Sequence, residues 1–193
     1  MKTAFLRGAP LLLAAALAAC AGGGGKERPE AGGGIDVARF HLGETVARAR
    51  IAIEPFDKAD ANRPEFPAYA AAIGRQLSRL GWTVVPTTTG SEQIALIDLE
   101  QGSREAIAAL SAARIGRGVS GGAPEGTSAN VTASLLEIAI RRRSDGTVFW
   151  EGRAVGEAPT GSAGAARTAA AERLAEALFR DFPGESGRTI RVR

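Results

Sequence analysis

Apolar and polar residues alternate most regularly in two stretches of this 193-residue chain. Between Gln93 and Gln101, Ala95, Ile97 and Leu99 share one face, while Ile94 and Leu96 share the other with Asp98. A strand that is apolar on both faces belongs inside a sheet. Between Asn130 and Glu157, Thr132, Ser134, Leu136, Ile138 and Ile140 alternate with Val131, Ala133, Leu135 and Ala139. Ser144-Asp145-Gly146 follows, and then Thr147 to Ala154. Asp-Gly supplies the positive backbone angles of a tight turn, so the pattern predicts a hairpin. Phe149 and Trp150 are neighbours on its return strand, and strict alternation sends them to opposite faces.

Shorter runs complete the pattern. Arg48 to Glu54 alternates with Ile51 and Ile53 on one face, and Pro55 stops it. Phe66, Tyr69, Ile73, Leu77 and Leu80 recur at three- and four-residue steps, the stripe of one helix. Asn62 and Glu65 have capping-box spacing, and Gly81 is placed to end the helix. Trp82 to Val85 reads as a short strand ending at Pro86. Arg104 to Ile115 is helical by composition, but Ile107 and Leu110 make only a thin stripe, so the two signals disagree. Gly116 to Gly126 is a Gly-rich loop. Ser162 is placed to cap a last helix with the apolar face Ala170, Leu174, Ala177, Leu178 and Phe182, ended by Pro183 and Gly184. Thr189 to Val192 predicts a terminal strand. The order is β-α-β-β, the undecided stretch, then β-β-α-β. This is an α+β fold: a mainly antiparallel mixed sheet with two principal helices packed on one face.

The first twenty residues do not belong to that domain. Lys2 and Arg7 make a basic start, Leu11 to Ala19 is wholly Leu and Ala, and Leu17-Ala18-Ala19 precedes Cys20. The apolar run is too short for a permanent span and fits a signal-peptide core. Leu-Ala-Ala-Cys is similar to a bacterial lipobox, which implies that Cys20 is the lipid attachment residue and the new N-terminus. An ordinary signal peptide, with Cys20 incidental, is the plainer alternative. Ala21 follows the cysteine. By the same resemblance, the absence of Asp there implies sorting to the outer membrane. The expected organisation is residues 1–19 signal peptide, 20–36 a lipidated flexible Gly-rich tether, and 37–193 a periplasmic α+β domain. Gly22 to Gly25 and Gly32 to Gly34 cannot bury enough surface to offset their ordering entropy.

Charge adds little. The formal net charge is +3, and removing Lys2 and Arg7 from the 24 basic residues nearly balances the 21 acidic ones. No basic stripe with interleaved aromatics occurs, so no nucleic-acid partner is expected. Anchoring needs no basic patch, because each buried methylene contributes about 0.8 kcal/mol.

Candidate chemistry is sparse. One Cys and one His exclude an internal disulfide and the usual His/Cys zinc sites. No metal or cofactor is expected. Gly116-Arg117-Gly118-Val119-Ser120-Gly121 fits G-x-G-x-x-G, but no helix is predicted after it to hold a pyrophosphate. His41, between Phe40 and Leu42, has no local nucleophile beside it. Asp57, Asp60 and Glu65 suit capping and helix-dipole roles. Arg141-Arg142-Arg143 reads as a solvated strand end, with a phosphate or lipopolysaccharide site as the sharper alternative. Asp98, Glu100 and Glu137 lie on predicted strands that are candidates for neighbours. Burial would raise a carboxyl pKa unless it were paired. The strand is expected to emerge into solvent near Asp98, leaving Asp98 and Glu100 exposed.

Five segments resemble, in order, a bacterial lipoprotein family known as domain of unknown function 4136. They are Arg39-Phe40-His41-Leu42-Gly43; Ile51-Ala52-Ile53-Glu54-Pro55; Glu65-Phe66 with Tyr69-Ala70; Ser144 to Ala154; and Leu178-Phe179-Arg180-Asp181-Phe182-Pro183-Gly184-Glu185-Ser186-Gly187. The resemblance implies a compact periplasmic α+β domain on a lipid anchor, and carries no activity and no catalytic or ligand-binding residue.

The expected function is therefore a non-enzymatic binding or scaffolding module of the cell envelope. Its partners would be the outer membrane, through N-terminal acyl chains, and an envelope protein or glycan. The alternatives are an envelope enzyme of carboxylate type and a carrier of an apolar or amphiphilic ligand. Converging acids in a pocket would favour the enzyme, a large dry pocket the carrier, and an exposed sheet edge the scaffold.

Overall fold

A computed structural model describes residues 33–43, 46–114 and 130–193. Seven strands form one sheet in the order β3-β2-β4-β5-β6-β1-β7. They are β1 (Ile35–His41), β2 (Arg50–Pro55), β3 (Thr83–Val85), β4 (Gln93–Gly102), β5 (Val131–Arg142), β6 (Val148–Pro159) and β7 (Thr189–Val192). The pairs β2–β3 and β2–β4 are parallel, and the other four are antiparallel. The fold is α+β with a mixed sheet, as the alternation predicts.

Helices α1 (Phe66–Arg79) and α3 (Arg167–Phe179) pack against each other and cover one face. That face carries Ile51, Ala95, Ile97, Leu99, Leu136, Ile138, Ile140 and Trp150, all in the main apolar cluster with Ile73, Leu77, Leu174 and Leu178. The hairpin strand meets α3 through glycines. A Cβ on Gly152 would lie 2.4 Å from Trp150 and 2.8 Å from Leu178. The stretch where composition and stripe disagree is a third helix, α2 (Arg104–Arg114), and it covers the opposite face. Its thin stripe suffices because Ile107 and Leu110 meet only a small cluster of Ala133, Leu135 and Val155.

Several local expectations change. The apolar pattern predicts no strand at β1, which starts at Ile35, so the last two residues of the expected tether are already in the sheet. Glu65, not Asn62, is the N-cap of α1, and its side chain makes no cap hydrogen bond; Pro67 in the first turn needs no donor there. Ser162 caps only a three-residue turn, without a side-chain bond, and α3 begins later at Arg167. Phe182 lies beyond the end of α3 and still packs in the core, 5.2 Å from the rings of both Trp82 and Trp150. Phe149 does not oppose Trp150. The register shifts where Val148 pairs with Arg141 and Trp150 with Ile140, so Phe149 is the extra residue of a bulge, and both aromatics join one cluster. Gly81 ends α1 with φ +99°, and Gly146 closes the hairpin with φ +74°, as expected.

Candidate functional site

On the α2-covered face, Asp98 of β4 pairs with Glu137 of β5, and Glu137 with Arg153 of β6. Three adjacent strands thus set two acids and an arginine in one row. Like charges directly across a sheet repel. Here Arg114, in the last turn of α2, reaches between them. Its Nη1 donates to Asp98 Oδ2 at 2.7 Å and also to Glu137 Oε2. Arg153 donates to Glu137 Oε1 through Nη2 at 2.7 Å and through Nε at 3.0 Å, and to the Ser111 carbonyl through Nη1 at 3.2 Å. Burial opposes the charge of Arg114, but its hydrogen bonds to Asp98 and Glu137 outweigh that and hold its pKa above the ordinary value.

A cavity of about 160 Å³ opens beside this row, walled by Phe56, Asp98, Arg114, Glu137, Glu151 and Arg153. Phe56, exposed after β2, stands on its wall as an aromatic surface. Asp98 is only 8% exposed. The expectation that the strand emerges into solvent there is wrong, because α2 lies over this end of the face and delivers Arg114. That pairing was legible in kind, since a buried carboxylate requires a partner. Its partner lies sixteen positions along the chain, in the stretch whose structure the pattern left open. Glu100, half-buried, shares the face but not the network.

The other expected residues fall elsewhere. His41 is on the α1–α3 face, next to the segment after α3. Its Nδ1 accepts from the Gly43 N–H at 3.1 Å, so Nε2 carries the hydrogen given to the Gly184 carbonyl at 3.0 Å. Neither ring nitrogen is left as a base. Arg39, its neighbour on the same strand face, is buried below the end of α3. It donates through Nε to Leu178 O at 2.7 Å and through Nη2 to Ala177 O at 3.0 Å and Arg180 O at 2.8 Å. The first and last of the five resembling segments therefore meet, and Trp150 Nε1, from the fourth, donates to Pro183 O at 3.1 Å. They meet as a structural clasp.

Asp57 accepts from the Ala59 N–H at 2.9 Å, the capping role expected of it. Asp60 pairs with Arg63 at 2.8 Å. The run Arg141-Arg142-Arg143 is divided: Arg142 lies 3.4 Å from Asp145, and Arg143 donates to Ser91 O at 2.8 Å. Cys20 and the Gly116–Gly121 pattern lie outside the described residues. Among the described residues, no group of three or more His, Cys, Asp or Glu is arranged for a metal, and no helix is long and apolar enough to cross a membrane. A groove of about 550 Å³ lies between α1 and the sheet-edge strand β3, lined by Ile53, Gly74, Val84 and Pro86 and by Arg75 and Arg79.

No protein-family model matches the chain. It is 26% identical over 212 residues to an uncharacterized protein of Zymomonas mobilis, across 82% of this chain and 80% of that protein. Among solved structures, a PDZ domain protein from Parabacteroides distasonis aligns with a TM-score of 0.51 at 14% identity. That alignment covers 83% of this chain and 39% of that one. The PelC dodecamer from Paraburkholderia phytofirmans aligns with a TM-score of 0.46 at 10% identity, over 75% of this chain and 94% of that one. The likeness to the PDZ domain protein is one of fold alone.

Proposed function

We propose that this chain is a lipid-anchored, non-enzymatic binding or scaffolding module of the cell envelope, held at the outer membrane through Cys20 with its domain in the periplasm. The observation that carries the non-enzymatic part is the closed ionic row. Asp98 and Glu137 face each other across two strands at that cavity, and both are committed as acceptors of guanidinium hydrogens. A general acid or base must reach a substrate proton with a free oxygen, and here Arg114 and Arg153 occupy the carboxylate oxygens. The scaffold part draws on β3. It is one of the two edge strands of the described sheet, paired on one side only, with Val84 exposed beside the groove. Such an edge accepts an added strand from a partner.

The test is made in envelopes. Cys20→Ser is expected to abolish acyl labelling and leave the precursor uncleaved; normal membrane fractionation of that variant would overturn the anchor. Cross-linking is expected to capture the same envelope component with the wild-type chain and not with Val84→Asp. Turnover of envelope glycans by the wild-type chain, lost in Asp98→Asn, would overturn the non-enzymatic reading.

A further inference from the structure

Where the chain enters the sheet at Gly33 and Gly34, a separate cavity of about 190 Å³ is bounded by one face of α3 and the end of β7. Arg173, Glu176 and Arg180 of or beside α3 line it, together with Arg193 and with Glu157 of β6. Arg173 and Arg180 are seven residues apart, two helical turns, so they lie along one face. Two of the lining side chains each carry an unpaired polar atom. Arg173 Nη2 and Glu157 Oε1 are both buried, and neither has a hydrogen-bond partner. The other carboxylate oxygen of Glu157 is held by Arg104. Two glycines make room for the guanidinium: a Cβ on Gly164 would lie 3.3 Å from Arg173 Nη1, and one on Gly156 3.9 Å from its Nη2. Burial draws the Arg173 pKa below its ordinary value.

An orphan guanidinium nitrogen and an orphan carboxylate oxygen on one cavity specify a ligand with two properties. It must offer an anionic oxygen to the arginines and a hydroxyl hydrogen to Glu157. Guanidinium groups match tetrahedral oxyanions in shape and charge. We propose that this cavity binds a phosphate that carries a hydroxyl donor. Arg173 and Arg180 receive its anionic oxygens, and Glu157 accepts its hydroxyl hydrogen. Free phosphate meets this description through its P–OH, and phosphatidylglycerol through its glycerol hydroxyls. Only the lipid source rests on the anchored reading above; it would follow from the cavity lying at the root of the tether.

The full chain, reconstituted in phosphatidylcholine vesicles, is titrated with inorganic phosphate while the arginine side-chain N–H signals are followed by NMR. A saturable shift at Arg173 is expected. Arg173→Gln is expected to weaken phosphate at least about tenfold, the worth of one charge-assisted hydrogen bond. Arg188→Gln, at an exposed arginine remote from the cavity walls, should leave the affinity unchanged. Sulfate has the same shape but no hydrogen to give at neutral pH, and is expected to bind at least about tenfold more weakly, by the same single-bond reckoning. Adding phosphatidylglycerol to the vesicles should compete with phosphate if the lipid is the occupant, and leave its affinity unchanged if free phosphate is. Equal binding by wild type and a folded Arg173→Gln, equal sulfate and phosphate affinities, or no shift at Arg173 would overturn the site. The last result would leave a cavity that holds only water.

Discussion

Two arginine-centred regions lie on opposite faces of the sheet and satisfy their charges in different ways. Under α3, Arg39 gives its hydrogens to three main-chain carbonyls. Under α2, Arg114 and Arg153 give most of theirs to Asp98 and Glu137. The consequences run in opposite directions. Burial draws the Arg39 pKa down, with Asp181 opposing and Arg180 adding to the effect. The Arg114 pKa is raised, because its carboxylate bonds outweigh burial. Carbonyls at a helix C-terminus carry partial negative charge and match a guanidinium in geometry, but they do not cancel its full charge. Carboxylates do both. A main-chain carbonyl also cannot be removed by substitution, whereas a carboxylate can. The two regions therefore differ in whether a compensating change exists.

The largest effect is expected at Arg39. Arg39→Met would leave three carbonyls at the end of α3, two of them buried, without that donor, and should cost roughly 3–5 kcal/mol of unfolding free energy. Urea denaturation measures it, and a loss below about 1 kcal/mol would mean that water replaces the guanidinium. Next comes Gly184→Ala. Gly184 has φ +79°, and a Cβ there would lie 2.4 Å from Arg39 Cδ. Backbone strain and overpacking together predict a loss of about 2–4 kcal/mol. If Gly184→Ala is tolerated, the clasp is looser than its hydrogen bonds imply.

A smaller loss is expected across the sheet. Arg114 is partly exposed, and Glu137 keeps Arg153, so Arg114→Met should cost about 1–3 kcal/mol, chiefly by stranding Asp98. Adding Asp98→Leu should recover most of that loss, since replacing both members of a buried pair by apolar groups is often neutral. No second substitution should rescue Arg39→Met in the same way. A double variant no more stable than Arg114→Met alone would break the contrast.

This difference in partners also governs what the sequence discloses. Regular alternation exposed β4, β5 and β6, and three- and four-residue spacing exposed the Leu77 face of α1, because burial there is by apolar side chains. Arg39 occupies an inward position of β1, between Val37 and His41, and so hides the strand from an apolar pattern. Its partners are carbonyls some 140 positions away, and carbonyls have no sequence signature. The ionic row was half legible. Asp98 stood out as an acid in an apolar strand and Glu137 on a plausible neighbour, but Arg114 depended on where α2 would lie. Phe149 was misplaced for a related reason, since one bulged residue undoes strict alternation.

The smallest expected effect links the two faces by charge. Tyr69 is the sole tyrosine, buried on α1. Burial first, and the negative charge of Asp98 second, push its pKa from the ordinary 10.0 to about 12. In the unfolded chain the phenol titrates near its ordinary value. Between the two, the folded chain holds a proton that the unfolded chain has released, so stability falls as pH rises through this window. The contribution is complete below the unfolded pKa and lost toward the folded one. Asp98→Asn removes the negative charge that opposes phenol ionisation. Loss of that one negative charge eases phenol ionisation, so the midpoint should move down toward 10.0 by a fraction of a unit. The phenolate absorbance band reads this directly, because no other tyrosine contributes. An unchanged midpoint in a folded variant would mean that the sheet isolates its two faces electrically. The charge of the ionic row would then end at the strands that hold it.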